Sequence, residues 1–179
     1  MTDMAEKLHP NNHIQTFTGK RFYPLEPDAE SICIKDIAHA LSMICRYGGH
    51  CDRFYSVAEH SVLVGRKAGL HGLLHDGAEA YLLDIPSPVK ALIPEYRWAE
   101  DRVQAAIYEA LNIPPPTSEE TQDVHQADRR MLFTEMAAIH RSVTPWYESV
   151  WPYTDVVIEC WAPKEAEERF LDAYERLKQ

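Results

Sequence analysis

The 179-residue chain carries 18 Lys+Arg against 28 Asp+Glu, a formal charge of −10, with 45% hydrophobic and 26% charged residues. That composition suits one soluble globular domain with its own core, and the acidic surface argues against polymeric nucleic acid as the main partner, because it repels polyphosphate. No run approaches the roughly 18 to 20 apolar residues that span a bilayer, the opening stretch lacks the apolar segment of a secretory signal, and Cys33, Cys45, Cys51 and Cys160 show no C-x-x-C spacing and are too few for a disulfide scaffold. The expectation is a cytoplasmic protein with reduced thiols, no membrane contact and no nucleic-acid polymer bound.

Turn formers Gly19, Pro24 and Pro27 and the alternating Ile32-Cys33-Ile34 predict a small hairpin or an extended arm over residues 1–35. Asp36 reads as an N-cap, and Ile37, Leu41, Ile44 and Cys45 recur at helical spacing until Gly48-Gly49. Ser56-Val57-Ala58-Glu59 reads as a capping box, opening a second helix to about Gly65. Leu70, Leu73, Leu74, Gly77, Ala78, Tyr81 and Leu82 give the strongest helical pattern, stopped by Asp84-Ile85-Pro86-Ser87-Pro88. A fourth helix over residues 95–111 would bury Ala99, Val103, Ala106, Ile107 and Ala110. A fifth starts near Thr117 on a Thr-x-x-Glu cap, and a last one runs from Pro163, suited to a first turn, towards Leu177. With no repeat and no linker, the chain reads as one all-α domain: an arm (1–35), a helical core (36–140) and a closing segment with a final helix (141–179) in which Trp146, Trp151 and Trp161 are explained by core packing.

Ionisable residues fall in informative places on these helices. At about 100° per residue, His75, Asp76 and Glu79 lie within about 100° of one another, opposite the leucine stripe. Asp128 instead lies within the stripe defined by Val124, Ala127 and Met131, with no basic residue at i−4 or i+3, so it requires a cation, a metal or a raised pKa. His75-Asp76 offers mixed nitrogen and oxygen donors that divalent first-row ions accept, and His60 and Asp128 would complete four ligands if their helices pack together. His-Asp is also a common dipeptide, and spacing alone leaves ordinary surface or core histidines as the alternative.

The segments Ser56-Val57-Ala58-Glu59-His60-Ser61, Leu74-His75-Asp76-Gly77-Ala78-Glu79, Asp84-Ile85-Pro86-Ser87-Pro88-Val89-Lys90 and Gln126-Ala127-Asp128 occur in the order of the H…HD…D signature of HD-domain metal-dependent phosphohydrolases, and resemble most the bacterial 5′-deoxynucleotidase (YfbR-like) branch. The resemblance covers roughly Ile37 to Met136. It implies an HD-domain helical bundle holding one divalent ion (Mn, Co, Ni, Fe, Zn or Mg) on His60, His75, Asp76 and Asp128, with Glu79 as general acid/base, Asp84 at the catalytic centre, and a homodimer. Glu79 sits one helical turn beyond His75, which suits it to orient or protonate a reacting group; a solvated helix carboxylate is its bland alternative, and a turn former that of Asp84.

Arg46-Tyr47 stands where that branch resembles an Arg-Trp pair, the arginine on phosphate and the ring against the sugar. Tyr47 departs from the pattern, which leaves deoxy-versus-ribo preference open, and the His60 to His75 interval is shorter than in that branch. His39 is expected to share the face of Arg46, His50 follows the glycine break, and His71 lies one turn before His75; each reads more simply as a structural histidine. The expected activity is a metal-dependent phosphohydrolase of small nucleotides, most simply a nucleoside 5′-monophosphate phosphatase using a metal-activated water. A nucleoside triphosphohydrolase or cyclic-nucleotide phosphodiesterase on the same scaffold, and a non-catalytic nucleotide- or metal-binding sensor, are the alternatives.

Overall fold

A short antiparallel hairpin opens the described chain, β1 (Ile14–Gln15) pairing with β2 (Arg21–Phe22) so that Ile14 faces Phe22. Phe22 is fully buried against the Tyr81 ring at 4.1 Å, which fixes the hairpin to the helical body. The computed structural model describes residues 12–141 and 151–179, and all its remaining regular structure is helical, so the expected all-α fold with a small N-terminal hairpin is the observed one. The Ile32–Ile34 stretch is not a strand, and Trp146 lies outside the described residues.

Helix α1 (Ile34–Met43) begins after the extended residue Cys33, earlier than Asp36 suggests. Asp36 is not the cap. It is buried in the first turn, where its carboxylate accepts the Thr18 backbone N–H at 2.7 Å and the Thr18 hydroxyl at 2.8 Å. The helix also stops before the glycines, because Ile44 turns extended and residues 44–46 pair with the entry to the next helix: Val57 N–H donates to the Ile44 carbonyl at 3.0 Å and Arg46 N–H to the Tyr55 carbonyl at 2.9 Å. His39 therefore does not share a face with Arg46; its ring stacks on Phe17 and its Nδ1 meets Glu167 at 3.0 Å.

Helix α2 (Val57–Leu74) starts on Ser56, whose hydroxyl accepts the Glu59 N–H at 3.1 Å. Only half of the expected capping box forms. The Glu59 carboxylate is fully buried and accepts the backbone N–H groups of Glu159, Cys160 and Trp161 at 3.0, 3.0 and 2.6 Å, tying the C-terminal segment to this helix. The second and third predicted helices meet inside α2 at a break, with Ala68 at φ −127°, ψ 18° and Gly69 at φ 69°, ψ −156°. The break folds the helix back on itself: a Cβ on Gly65 would lie 3.0 Å from the Leu73 Cβ, and one on Gly72 would lie 3.0 Å from the Val64 carbonyl oxygen. Fifteen residues of straight helix would separate His60 from His75 by roughly 22 Å. The fold-back instead brings their ring centroids to 5.2 Å, with the planes tilted by 53°.

The predicted helix over residues 70–82 is also interrupted. After Leu74 the chain makes a turn through His75–Ala78 and resumes as the short α3 (Glu79–Leu82), ending on left-handed Leu83 (φ 69°). The side chain of Gln104 supports this turn, its Nε2 donating to the Leu74 carbonyl at 2.9 Å and its Oε1 accepting Ala78 N–H at 3.2 Å. The Pro-rich stop contains one further turn, α4 (Ser87–Lys90). Helix α5 (Pro94–Ala110) buries Ala99, Val103, Ala106 and Ile107 as expected, with Ala110 half-buried.

Helix α6 (Ser118–Ile139) carries the complete capping box of Thr117 and Glu120. The last helix, α7 (Pro163–Leu177), packs against α1 and α2, while α6 covers the other side of α2. Trp161 is buried in the core, whereas Trp151 is 82% exposed, so core packing does not explain it. Among the described residues no helix is long and apolar enough to cross a membrane.

A Cβ at residue 69 meets nothing within 4 Å, so Gly69→Ala isolates the backbone requirement. It should destabilise the fold by about 1–3 kcal/mol in denaturant titration, because that φ/ψ region is almost confined to glycine; an unchanged midpoint would show that the break tolerates a side chain.

Candidate metal centre

The fold-back of α2 delivers His60, the turn after it delivers His75 and Asp76, and α6 delivers Asp128 from across the bundle. His60 Nε2 lies 3.3 Å from His75 Nε2, 3.2 Å from Asp128 Oδ1 and 3.6 Å from Asp76 Oδ2, and His75 Nε2 lies 3.3 Å from Asp76 Oδ1 and 3.9 Å from Asp128 Oδ1. One donor atom each from His60, His75 and Asp128 falls within 4.8 Å of the others, as a common cation requires. Three of the four residues predicted as ligands, His60, His75 and Asp128, thus converge on one point, and Asp76 borders them through its contacts with the two imidazoles.

The tautomers fit a cation. His75 Nδ1 donates to the Gly72 carbonyl at 2.8 Å, so its Nε2 presents a lone pair. His60 Nδ1 is engaged by the Glu135 carboxylate, again leaving Nε2 for the centre. Without a cation, two lone pairs 3.3 Å apart can be reconciled only by a proton. Burial alone would lower the His60 pKa and Arg46 lowers it further, yet the flanking carboxylates of Glu135 and Asp128 outweigh both and hold it at about 9. That proton and a divalent cation compete for the same lone pair.

Asp128 is less buried than its place in the apolar stripe suggests. Val124, Ala127 and Met131 are buried, but the Asp128 side chain is 41% exposed because the stripe's edge opens onto the site. Desolvation opposes its charge; His60, His75 and Arg46 prevail and hold the carboxyl well below the ordinary range.

Glu135 is the residue that sequence reasoning missed. It sits two turns after Asp128 on the same face of α6 and is fully buried, with its carboxylate accepting from His60 Nδ1, from the Tyr55 hydroxyl at 2.8 Å and from the Tyr47 hydroxyl at 2.5 Å. Arg46 Nε lies 3.3 Å away. Burial would raise its pKa, but Arg46 and His60 bring it down to about 2. The i+7 spacing from Asp128 was the available signal.

Arg46 comes to the site from the loop after α1, its NH1 3.5 Å from Asp76 Oδ2. Tyr47 follows, its ring edge-on to His140 and its hydroxyl committed to Glu135. Glu79 is 5% exposed, its Oε2 has no hydrogen-bond partner among the described residues, and its Oε1 is 3.9 Å from Lys90 Nζ. Burial first, then Asp76 and Asp84, push the Glu79 carboxyl up to about 9. Asp84 is half-buried just beyond α3 and acts on Glu79 through its charge. His50 is exposed, and His71 is turned to the Pro114 carbonyl at 3.0 Å and to Glu120, away from the centre.

A helical bundle with a His/Asp cluster able to hold a metal ion is the class that this fold and site define. The chain belongs to the family of Uncharacterized protein YfdR of Escherichia coli (strain K12), to which it is 44% identical over 126 residues, 68% of this chain and 69% of that protein. An uncharacterized protein of Rhodobacter capsulatus is 39% identical over 111 residues, 54% of this chain and 57% of its own length. No protein-family model matches the chain.

Two measurements test the centre. Protein purified without chelator should carry about one divalent metal per chain by elemental analysis, and Asp76→Ala or Asp128→Ala should lose it; wild-type content in both variants would overturn the ligand set. Glu135→Gln should weaken metal affinity by about 10–100-fold in a competitive chelator titration while the fold persists, as removal of a carboxylate behind a ligating imidazole does elsewhere.

Proposed function

We propose that the chain is a metal-dependent phosphohydrolase of the HD type that acts on small nucleotides, most simply nucleoside 5′-monophosphates. The observation that carries this reading is the convergence of His60, His75 and Asp128, with Asp76 against both imidazoles, beside a buried Glu79 whose Oε2 has no hydrogen-bond partner among the described residues and the guanidinium of Arg46. The ordered resemblance of the four sequence segments to HD phosphohydrolases supports it independently.

A divalent cation on these donors supplies Lewis-acid stabilisation of phosphoryl oxygen charge and makes a water acidic near neutral pH. The chain's own residues supply the rest. Arg46 presents a planar cation whose Nε is turned to Glu135 at 3.3 Å and whose NH1 approaches Asp76 at 3.5 Å, so the outer end of the guanidinium fork is the part that would meet a phosphate oxygen. Glu79, held protonated near neutral pH by its surroundings, is a proton donor for a leaving alkoxide, and beside a bound cation its carboxyl would ionise more readily and so could also accept a proton. Lys90, anchored to Glu100 at 2.6 Å and 3.9 Å from Glu79, adds positive charge on the same side. Tyr47 offers a ring whose hydroxyl is already satisfied by Glu135. In a chain of net charge −10, these two cations and the metal make a local basin for a small anion rather than a groove for a polymer.

A panel of ribo- and deoxynucleotides with several divalent ions, read by product identity, tests the reading. Orthophosphate from monophosphates is expected; tripolyphosphate would move the assignment to a triphosphohydrolase, opening of a cyclic nucleotide to a phosphodiesterase, and binding without turnover to a sensor. Glu79→Gln should keep its metal and lose at least 100-fold in kcat, in keeping with the usual scale of general acid–base catalysis, whereas Arg46→Ala should raise KM more than it lowers metal content. Full activity in both variants would remove these residues from the mechanism.

A further inference from the structure

Cys45 and Cys51 stand at the two ends of the loop that carries Arg46 and Tyr47, with their sulfurs 3.7 Å apart. The closeness is built by the backbone. Tyr47, Gly48 and Gly49 take φ values of 58°, 57° and 81°, a left-handed run that turns the chain back within five residues. Both ends of the loop are pinned, Arg46 N–H to the Tyr55 carbonyl at 2.9 Å and Asp52 N–H to the Ile139 carbonyl at 2.9 Å. Non-glycine residues reach the left-handed region only at a cost, so Tyr47 is held there by its surroundings, including the bond from its hydroxyl to Glu135.

We propose that Cys45 and Cys51 form a reversible disulfide, a modification site that clamps the Arg46-Tyr47 loop from below. Both thiols are free and half-buried. A disulfide requires sulfurs about 2.05 Å apart, so the observed pair must approach by under 2 Å, a distance within the reach of side-chain rotation. The oxidant is a low-molecular-weight disulfide such as oxidised glutathione. A thiolate of the pair attacks one of its sulfurs, forming a mixed disulfide and expelling one thiolate; the second cysteine sulfur then attacks the protein-bound sulfur and expels the other. The pair loses two electrons and two protons, and one small disulfide becomes two thiols.

Several features select this pair over the other cysteines. Cys33 lies at the start of α1, its thiol donating to Asp36 at 3.2 Å, remote in sequence from the loop. Cys160 is near enough to act electrostatically on Cys51, but its backbone is fixed by the buried Glu59 carboxylate. The Cys51 thiol donates to the Arg53 carbonyl at 3.0 Å, and burial together with the neighbouring Cys45 pushes it up to about 11, so Cys51 rests as a neutral thiol until exchange begins. A loop of seven residues already closed in the fold has little chain entropy left to lose, which favours intramolecular closure over capture of a second small thiol.

Trypsin cleaves after Lys35, Arg46 and Arg53, so the link is read as peptide 36–46 joined to peptide 47–53. The metal-loaded full chain, incubated with oxidised glutathione and then alkylated, should fall from four free thiols to two, yield that linked pair by mass, and revert with dithiothreitol. Amide hydrogen exchange of residues 47–50 should slow at least threefold in the oxidised form. Cys160→Ser should leave the link intact, and Cys51→Ser should trap glutathione on Cys45. Recovery of both cysteines as alkylated thiols, a Cys45–Cys160 link, or unchanged exchange across the loop would overturn the proposal, and none of these readouts depends on nucleotide turnover.

Discussion

Two imidazole nitrogens brought together from within a helix and from the turn that ends it are the constraint on which this structure turns. His60 lies in the first turn of α2 and His75 directly follows its last residue, and the reversal at Gly69 lets them meet at 3.3 Å. The reversal has its own requirements: glycine at 69 for the dihedrals, and glycines at 65 and 72 so that the two limbs approach without a Cβ between them. Three small residues therefore do the work that a longer connection performs where two ligand-bearing helices are separate. The fifteen-residue interval from His60 to His75 is the covalent trace of this arrangement.

Around that contact the protein has placed a ring of opposed charges whose pKa values move in linked directions. Glu135 and Asp128 stay ionised because His60 and Arg46 face them, and His60 is kept basic because they face it. Glu79 is the exception: buried near two other carboxylates and only weakly approached by Lys90, it favours its neutral form. Acid groups in one small volume are thereby divided between permanent anions and a proton carrier, a separation of roles that environment alone can impose.

Local chemistry made the later helices readable. The Thr117 box and Pro163 mark the starts of α6 and α7 with signals contained within a few residues. Other features depended on partners distant in sequence. Nothing near Asp36 announces that Thr18 will take its carboxylate, and nothing near Glu59 announces that it will leave its helix cap to bind a backbone one hundred residues away. The uninterrupted periodicity over residues 70–82 concealed the turn at His75 because Gln104, from another helix, supplies the hydrogen bonds that make the interruption tolerable. The four proposed ligands were legible because their residue types are costly to place without one another. Glu135 escaped notice although Leu132, Phe133, Met136 and Ala137 around it are apolar, because its partners His60, Tyr47 and Tyr55 come from segments distant in sequence.

The three N–H groups gathered by Glu59 give the C-terminal segment an unexpected standing. Glu59 is the residue immediately before His60, and the segment it grips leads directly into α7. Detaching that terminus would strand an anion in the protein interior next to a residue of the centre. Local opening is thus shared between the end of the chain and its middle: a fluctuation that frays the tail also loosens the footing of His60, so the two belong to one cooperative unit and exchange with solvent together.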